Sequence, residues 1–115
     1  MKLKEIVERL GFEVKTGAAF LDAEVTGGYA SDLLSDVLAN SQEGNIWVTL
    51  QTHQNIVAIA SIKELAGIVL VNNRQPTEET ISKATEEDMP IVISSLPAFE
   101  LIGRLYEMGI SGLDE

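Results

Sequence analysis

The sequence predicts an α/β protein, a three-layer α/β/α sandwich around a mixed sheet that is parallel at its centre. Two observations predict it. Beyond residue 20, short β-branched runs alternate with helix-like stretches as β-α-β-α-β-α-β-α, the order that builds a sheet from crossover units. Hydrophobic residues make up 45% of the chain but aromatics only 5%. The core must then be built of Ile, Val, Leu and Ala, the palette of a parallel sheet covered on both faces.

Leu3, Ile6, Val7 and Leu10 recur at helical spacing over Lys2 to Leu10, and Gly11 is the stop. Phe12-Glu13-Val14-Lys15 alternates like a half-exposed strand, and Thr16-Gly17 is expected to turn it into a strand over Phe20 to Thr26, an antiparallel edge pair ended by Gly27-Gly28. Ala30 to Ala39 reads as an amphipathic helix, with Leu33, Leu34, Val37 and Leu38 on one side and Asp32 and Asp36 on the other. Ile46 to Leu50 is a strand covered on both faces. Thr52 is the N-cap candidate for the next segment. That segment, Ile56 to Ile62, is assigned to a helix, because Ile68 to Val71 is a second central strand and parallel neighbours need a crossover. Pro76-Thr77-Glu78-Glu79 opens a helix that buries only Ile81 and Ala84 and ends at Pro90. Ile91-Val92-Ile93 is a third buried strand, and Pro97 begins a last helix carrying Phe99, Ile102 and Leu105. With no linker, repeat or low-complexity tract, residues 1–115 are expected to be one domain.

Several function classes are disfavoured by composition. The chain has no cysteine, so a disulfide framework, a thiolate nucleophile and a Cys-ligated metal are excluded. Eighteen acids against eight scattered bases leave a net charge of −10. Such a surface repels phosphate backbones, so neither nucleic acid nor an anionic membrane is an expected partner. The N-terminus lacks a signal-peptide apolar run, and no stretch approaches the ~20 apolar residues of a membrane span. A cytoplasmic location is expected. The chain has no G-x-x-x-x-G-K-[ST] phosphate loop, no G-x-G-x-x-G and no G-x-S-x-G. No catalytic residue set, cofactor or metal is expected.

In an open parallel sheet, ligands bind beyond the carboxyl ends of the strands. Four loops are assigned there: Thr26-Gly27-Gly28-Tyr29, Gln51-Thr52-His53-Gln54, Asn72-Asn73-Arg74 and Ser94-Ser95. None is acidic, and hydroxyls, amides and free N–H groups suit a small polar or anionic ligand. The candidate binding residues are Thr26, Gly27, Gly28, Thr52, His53, Gln54, Asn72 and Ser94. The same residue types also make ordinary turns and caps. His53, the sole histidine, can serve as an acid or base or merely cap a helix. Asp22 with Glu24, or Asp32 with Asp36, can hold Mg²⁺ through oxygen ligands or stand as solvated surface. Trp47, Tyr29 and Tyr106 can be core or can line a pocket.

From Val25 through Leu38, then in Gln51 to Ala58, Lys63-Glu64-Leu65-Ala66-Gly67 and Phe99 to Tyr106, the chain resembles small DRTGG-domain proteins over essentially its whole length. The family is named for an Asp-Arg-Thr-Gly-Gly pentad. Thr26, Gly27 and Gly28 match it, while Glu24 and Val25 stand where the pentad has Asp and Arg, which removes the one cation of that loop. The resemblance implies a fold similar to the N-terminal domain of HPr kinase/phosphorylase and a regulatory role. The kinase activity of that enzyme belongs to a half with a phosphate loop, which this chain lacks.

The expected function is a non-catalytic regulatory or small-ligand-binding module, for a nucleotide or phosphorylated metabolite. A homodimer is also expected, from the apolar run Ile56 to Ile62. One alternative is a small phosphoryl- or acyl-transfer enzyme using His53 with Thr26 or Ser94. The other is a structural subunit docking on a larger metabolic enzyme.

Overall fold

The structure, a computed structural model, describes residues 1–113. Five strands form one sheet: β1 (Glu13–Thr16), β2 (Gly27–Ala30), β3 (Asn45–Thr49), β4 (Gly67–Leu70) and β5 (Ile91–Ile93), in the spatial order β1-β5-β4-β3-β2. β2 through β5 are mutually parallel, and β1 lies antiparallel against β5. Among the described residues there are five α-helices, α1 (Leu3–Leu10), α2 (Leu34–Asn40), α3 (Asn55–Ile62), α4 (Glu78–Glu86) and α5 (Ala98–Glu107), and a short 3-10 helix (Ala18–Phe20). No helix among the described residues is long and apolar enough to cross a membrane.

The parallel strands follow one another without a reversal. Crossovers of one hand therefore place α2, α3 and α4 all on the same face. Their core holds Val37, Ile56, Val57, Ala60 and Ala84 against Trp47, Ile68, Leu70, Ile91 and Ile93. The opposite face is left to the helices nearest the two ends. Leu3, Ile6 and Val7 of α1 and Leu101 and Leu105 of α5 pack on Ile46, Val48, Val69 and Val92. Along each central strand the residues alternate between these cores, as the two-residue pleat requires. Because both faces are buried, the strands read as unbroken apolar runs. The fold is the expected three-layer α/β/α sandwich.

Several expectations are corrected. Phe20 to Thr26 does not form a strand, Phe20 ending a 3-10 helix instead, and β1 pairs with β5 rather than with a hairpin partner. α1 has no side-chain cap, and its first amides take the spare carbonyls instead: Leu3 N–H donates to Ala23 and Lys4 N–H to Leu21. Gly27-Gly28 opens β2 rather than ending a strand, and α2 begins at Leu34, not Ala30. Asp32 therefore lies in the loop before the helix. Thr52 does not cap α3, whose N-cap position is Gln54 without a side-chain bond. On α5 the buried stripe is Leu101 and Leu105, while Phe99 stands 92% exposed.

Candidate functional site

α5 lies across the sheet centre and leaves the β2 side of that face uncovered. The result is a groove of about 290 Å³ between β2 and α5, near the lower end of ligand-site volumes. Its floor is Gly28, Ala30 and Val48, and its α5 wall is Ile102, Leu105 and Tyr106. Ile110 through Leu113 closes the remaining side. The lining is aliphatic and aromatic, and Tyr106 is 57% exposed. At its carboxyl end the groove runs on, through Ala30 and Val48, into a smaller cleft of about 190 Å³ beside Asp32, Leu50 and Ala98.

Gly28 is the one candidate residue that lines the groove. Its N–H donates to the Ser111 carbonyl at 3.0 Å. A Cβ built on Gly27 would lie 2.7 Å from that same oxygen. The pair of glycines thus admits the chain's own backbone, and a carbonyl oxygen occupies the place where an oxyanion would sit. Thr26 stands at the amino end of the parallel strands. Its hydroxyl donates to the Glu43 carbonyl at 2.7 Å and accepts from Asn45 Nδ2 at 3.3 Å, fastening the loop into β3.

The other candidates lie at the carboxyl ends, so the four loops do not meet. Thr26 precedes β2 and Gly27 opens it, whereas the other loops follow the carboxyl ends of β3, β4 and β5. Ser94 is 4% exposed and its Oγ accepts from Leu96 N–H at 3.1 Å. Asn72 and Asn73 take left-handed backbone (φ of 55° and 56°), and their amides donate to the Leu96 and Ser94 carbonyls. The Thr52 carbonyl accepts from Thr80 Oγ1 at 2.7 Å and from Thr77 N–H at 3.2 Å, tying the loop to the start of α4. Here Thr77, not Thr52, is the capping threonine. His53 and Gln54 are exposed beside Thr77 and Glu79 in an open depression.

The carboxyl edge also holds an acid that sequence reading placed elsewhere. Asp32 accepts from Thr49 Oγ1 at 2.8 Å and Leu50 N–H at 2.7 Å, closing the end of β3 with a negative charge. Asp36 serves another purpose. Ser31, Tyr29 and Asn40 hydrogen-bond to its carboxylate and hold its pKa below the ordinary value, while the same Asp36 contact raises that of Tyr29. The Tyr29 and Asn40 bonds are each 2.9 Å; the first pins β2 to α2 on the face away from the groove, and the second stays within α2. Trp47 is fully buried core, its Nε1–H donating to the Ser31 carbonyl at 2.9 Å. Glu24 pairs with the terminal amine at 3.1 Å. No cluster of three or more His, Cys, Asp or Glu side chains suited to a metal occurs among the described residues.

Tyr106, which the sequence left open between core and pocket, lines the groove, while Ile102 and Ile110 are groove residues the sequence did not single out. The signal available was the width of the apolar surface on α5, where Phe99, Ile102 and Tyr106 exceed the one stripe a surface helix buries.

Fold and groove define a class: a three-layer α/β/α domain with a ligand-sized apolar groove along an edge strand. No family model matches the sequence, and no curated protein matches it. Among solved structures the fold is similar to the CBS and DRTGG domains of the regulatory region of Clostridium perfringens pyrophosphatase, in complex with its activator diadenosine tetraphosphate. The TM-score is 0.70 at 14% identity, over 96% of this chain and 48% of that one. At that identity the likeness is one of fold, which is DRTGG-like. This chain spans about half the length of that regulatory region.

Proposed function

We propose that residues 1–115 form a DRTGG-like regulatory module, related to the N-terminal domain of HPr kinase/phosphorylase, that binds a nucleotide or similar phosphorylated metabolite without transforming it. The groove between β2 and α5 is the seat of the ligand's planar, apolar part. The observation that carries this reading is the half-exposed Tyr106 ring over an aliphatic floor, a platform on which a heterocycle stacks. The regulatory region of similar fold, complexed with a dinucleotide activator, supports it. Catalysis through His53 is the weaker reading. Thr26 lies at the far end of the strands with its hydroxyl bonded to Glu43, and the Ser94 hydroxyl serves a turn. In the cytoplasm such a module would work as a homodimer or docked on a larger metabolic enzyme, its exposed Ile62 on α3 available for either.

Thermal-shift titration with a panel of nucleotides and phosphorylated metabolites tests the reading. A ligand at 100 times its Kd adds about 2.7 kcal/mol, which raises Tm by roughly 10 °C in a chain of this length. Tyr106→Ala should weaken that ligand about tenfold while His53→Ala leaves it unchanged. A panel without a shift overturns the ligand-binding reading. Loss of binding in His53→Ala with Tyr106→Ala unaffected moves the site to the carboxyl edge.

A further inference from the structure

The segment after α5 is positioned to regulate the groove. Ile110 is anchored, only 6% exposed, and packs into the α1/α5 core. The next three residues hold on by a few bonds. The Ser111 carbonyl accepts from Gly28 N–H at 3.0 Å, and Gly112 N–H donates to Tyr106 Oη at 3.3 Å. Leu113 N–H donates to the Ser111 hydroxyl at 3.2 Å, which curls the segment back on itself, and the Leu113 side chain stays 80% exposed although it lines the groove. Ser111 and Gly112 thus take hydrogen-bonding groups from both walls, one from the β2 edge and one from α5. Ala30, two residues beyond Gly28, turns its N–H and C=O to the same open edge, since alternate residues of an edge strand face outward. Ser31 faces inward, with its N–H on the Val48 carbonyl at 3.3 Å. The segment therefore covers only the first half of the available edge.

We propose that Ser111 to Leu113 is a displaceable strap. In its closed position it occupies the Gly28 N–H and the Tyr106 hydroxyl. On release it uncovers both, together with the upper part of the groove. Strap and ligand then compete for the same two groups, so groove occupancy is set by how firmly the strap holds. The two glycines have a definite role in this device. Gly27 leaves room for the Ser111 carbonyl, 2.7 Å from where a Cβ would stand, and Gly28 supplies the donor. The competition rests on the groove being the ligand seat, but the closure does not.

Two full-length variants loosen the strap in different ways. Gly27→Ala puts a methyl group against the Ser111 carbonyl, and Tyr106→Phe removes the hydroxyl that Gly112 holds while keeping the ring. Amide hydrogen exchange read residue by residue should show Gly28 protected in the parent chain and exchanging about tenfold faster in both variants. The Val48 and Val69 amides of the sheet centre should be unchanged, which separates strap release from unfolding. The fluorescence of 1-anilinonaphthalene-8-sulfonate, an aromatic anionic probe of apolar grooves, should rise in both variants. A Gly28 amide that is unprotected in the parent, or equally protected in all three chains, overturns the strap. A Gly28 amide that responds as expected without any nucleotide-panel shift leaves the strap standing and removes the nucleotide reading, so the two failures are distinguishable.

Discussion

At one edge of the sheet β1 carries Glu13 and Lys15 and a register shift between Val14 and Thr16. At the other, β2 reads Gly27-Gly28-Tyr29-Ala30 and carries no charge. Both edges present unpaired backbone groups, and each limits the hazard of strand-on-strand association differently. β1 uses charge and a bulge, with Thr16 inserted into the sheet: its Oγ1 donates to the Met89 carbonyl at 2.7 Å and accepts from Ile91 N–H at 2.9 Å. β2 uses its own chain, the Ser111 carbonyl lying on Gly28. An edge guarded by its own charges and a bulge stays open but guarded. An edge protected by a strap can be reopened, and the apolar groove lies beside that one.

The sharpest way to break this contrast is at β1. Thr16→Val keeps the shape but strands two buried backbone groups, and should cost about 3 kcal/mol in urea denaturation. A cost under about 1 kcal/mol would mean that the bulge does not depend on the threonine.

The β2 side is held at its back by the Tyr29–Asp36 hydrogen bond, and Asp36→Asn tests that pin. Hydrogen bonds lower the folded-state pKa of Asp36, so its stabilisation is present above the unfolded carboxylate value and is lost as pH falls through the folded value. Asp36→Asn should therefore lower Tm at pH 7, and the gap from the parent should narrow as pH falls below the ordinary carboxylate range. A gap that persists at low pH would assign the effect to shape rather than charge.

The smallest effect is expected at the open half of β2. Ala30→Lys places a charge beside the unpaired backbone and should change stability by no more than about 0.5 kcal/mol. It should nonetheless reduce self-association seen by light scattering if that edge pairs between copies. An unchanged association would place any dimer contact elsewhere, with α3 and its exposed Ile62 the next surface to vary.

Most elements were legible in the sequence. β3, β4 and β5 appear as Ile46 to Leu50, Ile68 to Val71 and Ile91 to Ile93, because burial on both faces leaves almost no polar residue in them. α3 was separable from a strand through Ala58, Ala60 and Ser61 and, decisively, the crossover requirement, and the helix is observed. The misreadings cluster where a segment's hydrogen bonds go to distant partners. Residues 21–26 look like a strand, but the Leu21 and Ala23 carbonyls serve α1. Asp32 looks helical by spacing and instead closes β3.

The candidate site was legible only in part, and topology explains why. The rule that ligands sit at strand carboxyl ends applies where strand order reverses and opens a crevice. Here β2 to β5 run in sequence without reversal, so Asn72 and Ser94 bond into each other's turn and no crevice opens between them. The uncovered ground lies on the face of α1 and α5, where the two helices leave the β2 edge bare.

Period and composition were sufficient for the kind of each element and for the layering, since both follow from how often an apolar side chain must turn inward. Strand neighbours and groove walls belong to the folded chain alone. Glu13 meets Ile93, and Gly28 meets Ser111, through backbone groups that every residue carries alike. Such groups leave no mark in the sequence, and only the packing of whole faces selects among their possible partners.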